Sequence, residues 1–516
     1  MNRASNLALA RLFEEIAYSL YAAGEQGHRP RAYRRAARAI AAHPESLEVL
    51  AAEGRLREVP AVGPSLSALI DEFLDTGALR MHARLVAEHP PVRRRVRDLR
   101  LKSAWEVARQ VLGLLVESAA PPDRIEVAGA ARRMCEVVPG GIELVAAPGR
   151  GGPHSLLDAF VDLPGVAEVL DRSSSTAHVG LWDGAEVTLH VTSRQAFGTT
   201  LVQRTGSAAH LARLGHLPTA AEEETLYRLL DLPWIAPELR EDAGEIEAAR
   251  EGALPRLLEQ ADLYGDLHCH THWTDGSASL EDMARAARSR GYAYMALTDH
   301  SRSLVITNGL SLERLEEARR QVNQLNHALA PFVILLGTEM DVLEDGRLDY
   351  PDEVLATLDY VSASIHRRFK QPEEVMTPRI LRAVTHPLVH TLNHPHGRLL
   401  GARRGYAVDM PRVIEAAAEA GCALEVSGDP ARMDLDGGWA RRAKAAGARC
   451  TVSSDAHSTL DYDNIWLGVG SARRGWLEPG DVLNARPLPE LRALLRKTTD
   501  ARLRCQTPRP STVSDG

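Results

Sequence analysis

The second half of this 516-residue chain holds seven hydrophobic runs, and six of them end in residues that ligate metals. The six are Tyr264–His270, Tyr294–His300, Phe332–Glu339, Tyr360–His366, Val389–His394 and Cys450–His457. The seventh, Ala423–Ser427, is followed by Gly428 and Asp429. In Asp266-x-His268-x-His270 the side chains alternate along a strand, so both imidazoles share a face. Asp275 follows in a Thr-Asp-Gly turn. His268, His270, Asp275, His300, Glu339, His366, His394, Asp455 and His457 make nine candidate ligands. Imidazoles suit zinc, iron and manganese, and a carboxylate can bridge two ions. Two or three divalent cations, Mn2+, Zn2+ or Fe, are therefore expected. Close cations neutralise phosphodiester oxygens, acidify bound water and align attack with departure. A hydrogen-bonded core histidine accounts for any one of these residues taken singly. It does not account for nine, because charged groups at buried strand ends cost several kcal/mol unless paired or metal-bound. His386 and His390 read as structural, and His272 and His396 as standing behind the ligands rather than among them.

Helical stretches separate the runs. Such alternation specifies a parallel sheet, and a closed parallel barrel collects its strand ends at one rim, so ligands far apart in sequence share a pocket. Residues 263–490 are predicted to form this barrel. Glu339 closes the third run and is the natural bridging carboxylate. Asp455 lies two residues before His457, so both can face one pocket. Glu339, Asp455 and His457 are the expected catalytic groups. No Ser or Cys nucleophile is required, and Ser453-Ser454 reads as strand filler.

The length fits two to four domains at roughly 100–200 residues each. The formal net charge of −8 excludes a global polycation, so any nucleic-acid contact must use local patches. The five cysteines are scattered and odd in number, which fits a reducing, cytoplasmic setting without a disulfide framework. No signal-type apolar segment or membrane-length apolar run is seen.

Residues 1–90 read as a helical domain, with Leu7, Leu9, Leu12, Phe13, Ile16 and Leu20 at helical spacing and a basic-faced helix over Pro30–Ile40. Val59–Ile70 fits a helix-hairpin-helix. The amides around Val62, Gly63 and Ser65 at a helix start can hold a DNA phosphate; the alternative is an ordinary packing corner. Arg93, Arg94 and Arg95 open a basic stretch that serves either as a DNA-binding patch or as a solvated linker helix. Residues 91–240 read as mixed α/β, with strands at Ile125–Ala128, Ile142–Ala147, Ala177–Leu181 and Glu186–Val191. The acidic stretch Glu238–Glu251 reads as part of a linker over 241–262. Residues 504–516 are expected to be a disordered tail.

The ligand set resembles the PHP (polymerase and histidinol phosphatase) phosphoesterases over roughly 260–480, with every ligand position filled. The resemblance implies a distorted (β/α)7 barrel and a trinuclear site. It implies one ion on His268, His270 and Asp455, a second on Asp275, His300 and His457, and a third on His366 and His394 with Glu339 bridging. The remainder resembles bacterial family X DNA polymerases that carry a C-terminal PHP domain. Arg31–Arg38, Val59–Gly63, Val127–Arg133, Thr205-Gly206-Ser207 and Leu232–Arg240 carry that similarity, as do Thr298–Ser301, Asn308–Ser311 and Gly397–Gly401 within the barrel. Residues 91–240 then correspond to a palm and thumb-like region.

The departures fall on polymerase chemistry. Two metal-holding carboxylates are expected on one strand and a third on its neighbour. Gly140, Ile142 and Thr188 occupy those positions, and a one-residue slip rescues only Glu143. The chain between Leu79 and Arg100 is too short for a second hairpin and a fingers segment. The first 100 residues contain no lysine for a Schiff-base lyase. The expectation is a metal-dependent DNA phosphoesterase acting in DNA repair, a 3′→5′ exonuclease with abasic-site processing as an added capacity, and without polymerase activity. The alternatives are a small-molecule phosphatase of the histidinol-phosphatase type and a DNA-binding scaffold.

Overall fold

The computed structural model describes residues 4–91, 96 and 98–495. The chain divides into two compact units, Met1–Gly252 and Ala253–Gly516. The Arg93, Arg94 and Arg95 cluster and the 504–516 tail lie outside the described residues.

The first unit begins with five helices: α1 (Ala4–Ala22), α2 (His28–Ala42), α3 (Leu47–Ala52), α4 (Pro64–Thr76) and α5 (Arg80–Glu88). The apolar stripe of α1 buries Leu9, Phe13, Ile16 and Leu20 against Tyr33, Ala36 and Ile40 of α2. Phe13 and Tyr33 meet edge to face at 5.4 Å. Helix α4 starts on Gly63 with Pro64 at its first turn and stops at Gly77, where φ of 72° suits glycine. Strand β1 (Asp98–Arg100) pairs with β3 (Val137–Pro139). The long helix α6 (Leu101–Val116) follows β1. A five-stranded sheet contains β2 (Pro122–Ala128), β4 (Ile142–Pro148), β5 (Val166–Arg172), β6 (Thr176–Leu181) and β7 (Glu186–Val191), in the order β2-β4-β7-β6-β5. Only β4 and β7 run parallel. Strand β5 was not foreseen, because its charged edge sequence is mostly exposed and lacks hydrophobic alternation.

Two expected boundaries move. No division falls at residue 90, because the helices pack on the sheet region: Tyr18 stacks on Trp182 at 5.7 Å, and Arg34 reaches Asp183 at 3.7 Å. Nor is Glu238–Glu251 a linker. Its helix Glu245–Arg250 buries Glu245, Ile246 and Ala249, and the unit ends at Gly252. Composition misled here, since the acidic side chain of Glu245 is used internally. It accepts from the amides of Asp242 and Ala243 and from His210.

The second unit is a seven-stranded parallel barrel in sequential order: β8 (Gly265–Cys269), β9 (Tyr294–Leu297), β10 (Val333–Asp341), β11 (Tyr360–Ser364), β12 (Thr391–Leu392), β13 (Ala423–Ser427) and β14 (Cys450–Ser453). The ring nearly closes through the Cys269–Ala456 bridge, with the His270 amide donating to the Ala456 carbonyl at 2.8 Å. Strand alternation sorts the side chains. Met295, Leu336, Ala363, Val426 and Val452 pack outward in the main core. Tyr294, Ala296, Leu335, Tyr360 and Ala423 join Leu483, Leu491 and Leu495 in a separate inner cluster. This leaves the C-terminal strand ends to polar groups. Among the described residues no helix is long and apolar enough to cross a membrane.

Candidate metal centre

All nine sequence-derived ligands converge at those strand ends. Asp455 Oδ1 lies 3.3 Å from Nε2 of both His268 and His270. Asp275 Oδ2 lies 3.3 Å from His300 Nε2 and 3.6 Å from His457 Nε2. Glu339 sits among five imidazoles. Its Oε1 is 2.9 Å from His394 Nε2, 3.3 Å from His366 Nε2 and 3.4 Å from His268 Nε2. Its Oε2 is 3.0 Å from His300 Nδ1 and 3.6 Å from His270 Nε2. Three groups have ligand atoms all within 4.8 Å of one another: His270/Asp275/His300/His457, His268/His270/Asp455 and His300/Glu339/His366.

Strand parity carries Glu339, His366 and Asp455 to the rim, whereas a register shift in β8 between Asp266 and Cys269 accompanies the turn of His268 and His270 into the pocket, with Leu267 in the inner cluster. Glu339, two residues beyond Gly337, stays on the inner face of β10. His366 lies two beyond Ser364, and Asp455 two beyond Ser453. Asp455 and His394 hold positive φ, 54° and 30°, at the points where their strands turn out of the barrel. Side chains other than glycine pay for that conformation, and such strain clusters at functional sites.

Burial pushes the Glu339 carboxyl up, but the imidazoles of His366, His268 and His300 outweigh it and hold it well below the carboxylate range. Asp455 is likewise pushed up by burial and held far down by His268, His270 and His457. Burial and the neighbouring His457 and His300 lower His270 to about 3; burial and Arg432 lower His394 to about 3. The other imidazoles move the opposite way: against the pull of burial, Asp455, Glu425 and Glu339 raise His268, Glu339 and Asp341 raise His366, Glu339 and Asp275 raise His300 to about 10, and Asp275 and Asp455 raise His457 to about 9. The pocket thus offers anionic oxygens beside two neutral imidazoles and four that hold protons a bound cation would displace. Both ring nitrogens of His270 and Nδ1 of His300, His366 and His394 are buried with no hydrogen-bond partner. Orphaned nitrogens facing carboxylates form a donor set that fits divalent cations.

The supporting residues were mostly missed by sequence reasoning. Glu425, fully buried, accepts from His268 Nδ1 at 2.6 Å and from the His394 amide at 2.7 Å. Burial raises its carboxyl to about 7 despite His268. It lies in the seventh run, two residues before the Ser427 that closes it, and parity with inward-facing Ala423 could have flagged it. Asp266 accepts from the amides of His268 and Ser454 at 3.1 Å. Asp341 stands 3.5 Å from His366 Nδ1. Arg432 lies 3.6 Å from Asp455 Oδ2 and 3.1 Å from Asp429; no periodicity marks it. His390 packs on Tyr360 and accepts the Val361 amide, and His386 faces Asp352 at 3.3 Å. His272 and His396 stay outside the three groups.

The comparisons agree with this geometry. Residues 266–420 match the PHP domain family. Residues 4–79 match the helix-hairpin-helix domain family. Over 368 residues the chain is 37% identical to the DNA polymerase/3'-5' exonuclease PolX of Bacillus subtilis, which covers 67% of this chain and 64% of that relative, less than two thirds of its length. The part that matches the PHP family is also similar to proteins named as probable phosphatases. One from Caldanaerobacter subterraneus is 28% identical over 38% of this chain and 77% of its own length. One from a Thermoanaerobacter species is 28% identical over 42% of this chain and 89% of its own length.

Outside the PHP domain the other predicted positions divide. Gly63 and Ser65 at the start of α4 have amides that make no hydrogen bond among the described residues, and Ser65 is exposed. Val62 does not fit a DNA contact: its side chain is buried and its amide donates to the Val59 carbonyl. In the sheet, β4 and β7 are parallel neighbours with Glu143 opposite Thr188. Gly140 turns at φ 70° just before β4, and Ile142 is buried. Arg132 is held by both carboxylate oxygens of Glu223.

Proposed function

We propose that this chain is a metal-dependent DNA phosphoesterase working as a 3′→5′ exonuclease in DNA repair, without polymerase activity. One observation carries the reading: Glu339 faces five imidazoles inside a PHP domain, on a chain that also has a helix-hairpin-helix domain. His268, His270 and Asp455 would hold one cation, Asp275, His300 and His457 a second, and His366 and His394 a third, with Glu339 bridging. When bound, such cations supply charge neutralisation at phosphoryl oxygens and acidification of water. The protein's own groups set the stage. Glu425 accepts a hydrogen bond from His268 Nδ1 and leaves Nε2 directed at the centre. Arg432 holds Oδ2 of Asp455, which turns Oδ1 toward His268 and His270. Glu339 offers one oxygen to each side of the pocket. In the first unit, Gly140, Ile142 and Thr188 cannot hold the metal pair of nucleotidyl transfer, and Glu143 alone is too few carboxylates. The Gly63 and Ser65 amides support DNA contact at phosphates, which reads no bases.

The deciding assay uses primed, 3′-labelled DNA with Mn2+, with and without nucleotides. Degradation in both conditions and no extension is the expected result. Template-directed extension that survives removal of His268 and His270 overturns the loss of polymerase activity. The similarity to probable phosphatases supports a second reading, a small-molecule phosphatase; phosphate release from histidinol phosphate with intact DNA selects it.

A further inference from the structure

The two loops that leave candidate ligands His366 and His394 are basic, although the chain as a whole carries −8. The first reads Arg367-Arg368-Phe369-Lys370; the second carries Arg398, Arg403 and Arg404. Three of these cations have acidic neighbours: Arg367 with Asp341 at 3.8 Å, Arg368 with Glu344 at 2.7 Å and Arg398 with Asp436 at 3.2 Å. Lys370 and Arg404 are exposed and have no partner among the described residues. Arg403 donates to the Gly397 carbonyl at 3.1 Å and makes no salt bridge among the described residues, although the Asp434 carboxylate acts on its charge.

The loops are locked to each other and to the ligands. Phe369 stacks parallel on Tyr406 at 5.9 Å, and the Arg403 guanidinium covers Phe369 at 3.9 Å. Tyr406 donates to the carbonyl of Ile365, the residue before His366, at 2.9 Å. The Gly397 amide donates to the His394 carbonyl at 2.9 Å. Gly397 has φ of 63°, and a Cβ there would stand 1.8 Å from Tyr406 Cζ, so the packing demands glycine. An open cavity of about 530 Å³ lies against His396, Arg398, Arg403 and Arg404. Lys370 and Arg404, exposed and without a carboxylate partner among the described residues, stand on loops tied to two candidate ligands and have room for an external anion.

We infer that the loops after β11 and β12 form a phosphate track that seats the backbone of single-stranded DNA beyond the scissile phosphodiester, with Lys370, Arg403 and Arg404 as its contacts. The inference rests on the phosphodiesterase reading and names its substrate class. A small phosphomonoester brings one phosphate, which the ligand ring already accommodates. Cations outside the ring gain an anion only when the substrate has further phosphates. Lost contacts of this kind appear as a shallower salt dependence, about 0.7 in the log–log slope per single-strand phosphate contact.

The test uses the full-length, metal-loaded protein and its Lys370→Ala/Arg404→Ala and Lys370→Glu/Arg404→Glu variants. Substrates are a 3′-labelled oligothymidylate and bis(p-nitrophenyl) phosphate. The expected result for the alanine pair is a several-fold higher KM on the oligonucleotide and a salt slope shallower by about 1.4 for two contacts. Charge reversal should raise KM more than tenfold. Both variants should hydrolyse the small diester at the wild-type rate. Unchanged KM and salt slope on an oligonucleotide that is still degraded overturns the track. Equal loss on both substrates also overturns it, since the residues would then act through the centre. If wild-type protein cleaves the small diester and leaves DNA intact, the nuclease reading fails instead. Anisotropy of a labelled phosphorothioate oligothymidylate then decides the track alone: a weaker salt slope in the alanine pair sustains it, and an identical slope rejects it.

Discussion

Each unit contains a buried histidine against a buried glutamate at nearly the same distance. In the first, His210 Nδ1 meets Glu245 at 2.5 Å; in the second, His268 Nδ1 meets Glu425 at 2.6 Å. Their surroundings differ. His210 spends its other nitrogen on the Tyr227 hydroxyl at 3.1 Å, and Arg240 and Arg132 clamp Glu223 close by. Every polar group there ends on a protein partner, which makes the cluster a folding device. His268 turns Nε2 toward Glu339, Asp455 and the amide of Asn393, and the imidazoles beside it keep nitrogens that nothing in the described chain satisfies. Identical chemistry separates into scaffold and candidate centre by whether the last donor or acceptor is used. Unsatisfied buried groups are costly, and the imidazoles around Glu339 keep several of them together opposite carboxylates, the donor set that fits a cation.

The comparison breaks most visibly at Asp455. Asp455→Asn keeps the shape, and asparagine tolerates the positive φ there. Hydrolysis should fall about a thousandfold or more, because several kcal/mol of charge stabilisation is lost, while DNA binding persists. A wild-type rate in saturating Mn2+ would remove Asp455 from the centre. Elemental analysis of a His268→Ala/His270→Ala protein should show at least one cation fewer, and unchanged metal content rejects the ligand assignment.

Glu425→Gln keeps an acceptor but loses the charge. Metal affinity should weaken about 10- to 100-fold, the usual cost of removing a group that orients a ligand. Excess Mn2+ should restore much of the rate. If metal titration shows no change, Glu425 is only a packing residue.

The counterpart in the first unit should behave in the opposite way. His210→Ala leaves Glu245 buried without its imidazole and should cost about 3 kcal/mol in stability. Denaturant unfolding measures that loss, while metal content and turnover of the folded protein stay at wild-type values. Loss of turnover without loss of stability would make His210 more than scaffold.

The smallest expected effect is at Glu14. Burial lifts its carboxyl to about 7 despite Arg34 and Arg38, with Asp183 adding to the rise. A raised folded pKa means stability is fully present below the unfolded value of 4.5 and is lost as pH climbs through about 7. Glu14→Gln should lack this dependence and gain on the order of 2 kcal/mol over wild type between pH 5 and pH 8. Parallel stability–pH curves for the two proteins would show that Glu14 ionises freely.

Much of the barrel was legible because its information is local. A hydrophobic run ending in His, Asp or Glu announces a buried parallel strand and its rim together, and period two says which residues face inward. The helices α1 and α2 and four of the five strands in the first sheet were legible for the same reason. Strand β5 was not, since an exposed edge carries no hydrophobic signature. Glu238–Glu251 was misread because composition does not say whether an acidic side chain is solvated or already paired inside.

The sequence by itself determined the strand–helix alternation, the ligand types and the absence of carboxylates at Gly140, Ile142 and Thr188. Those are properties of single residues and short spacings. Tertiary structure alone decided that Glu339 stands among five imidazoles, that Glu425 rather than Ser427 serves the sixth barrel strand, β13, and that Arg432 stands beside Asp455. It also decided that Val62 is core and that Lys370 and Arg404 have no partner among the described residues. Each of these depends on which groups, distant in sequence, are close enough to satisfy one another, and closure of the barrel fixes that, not the order of the chain.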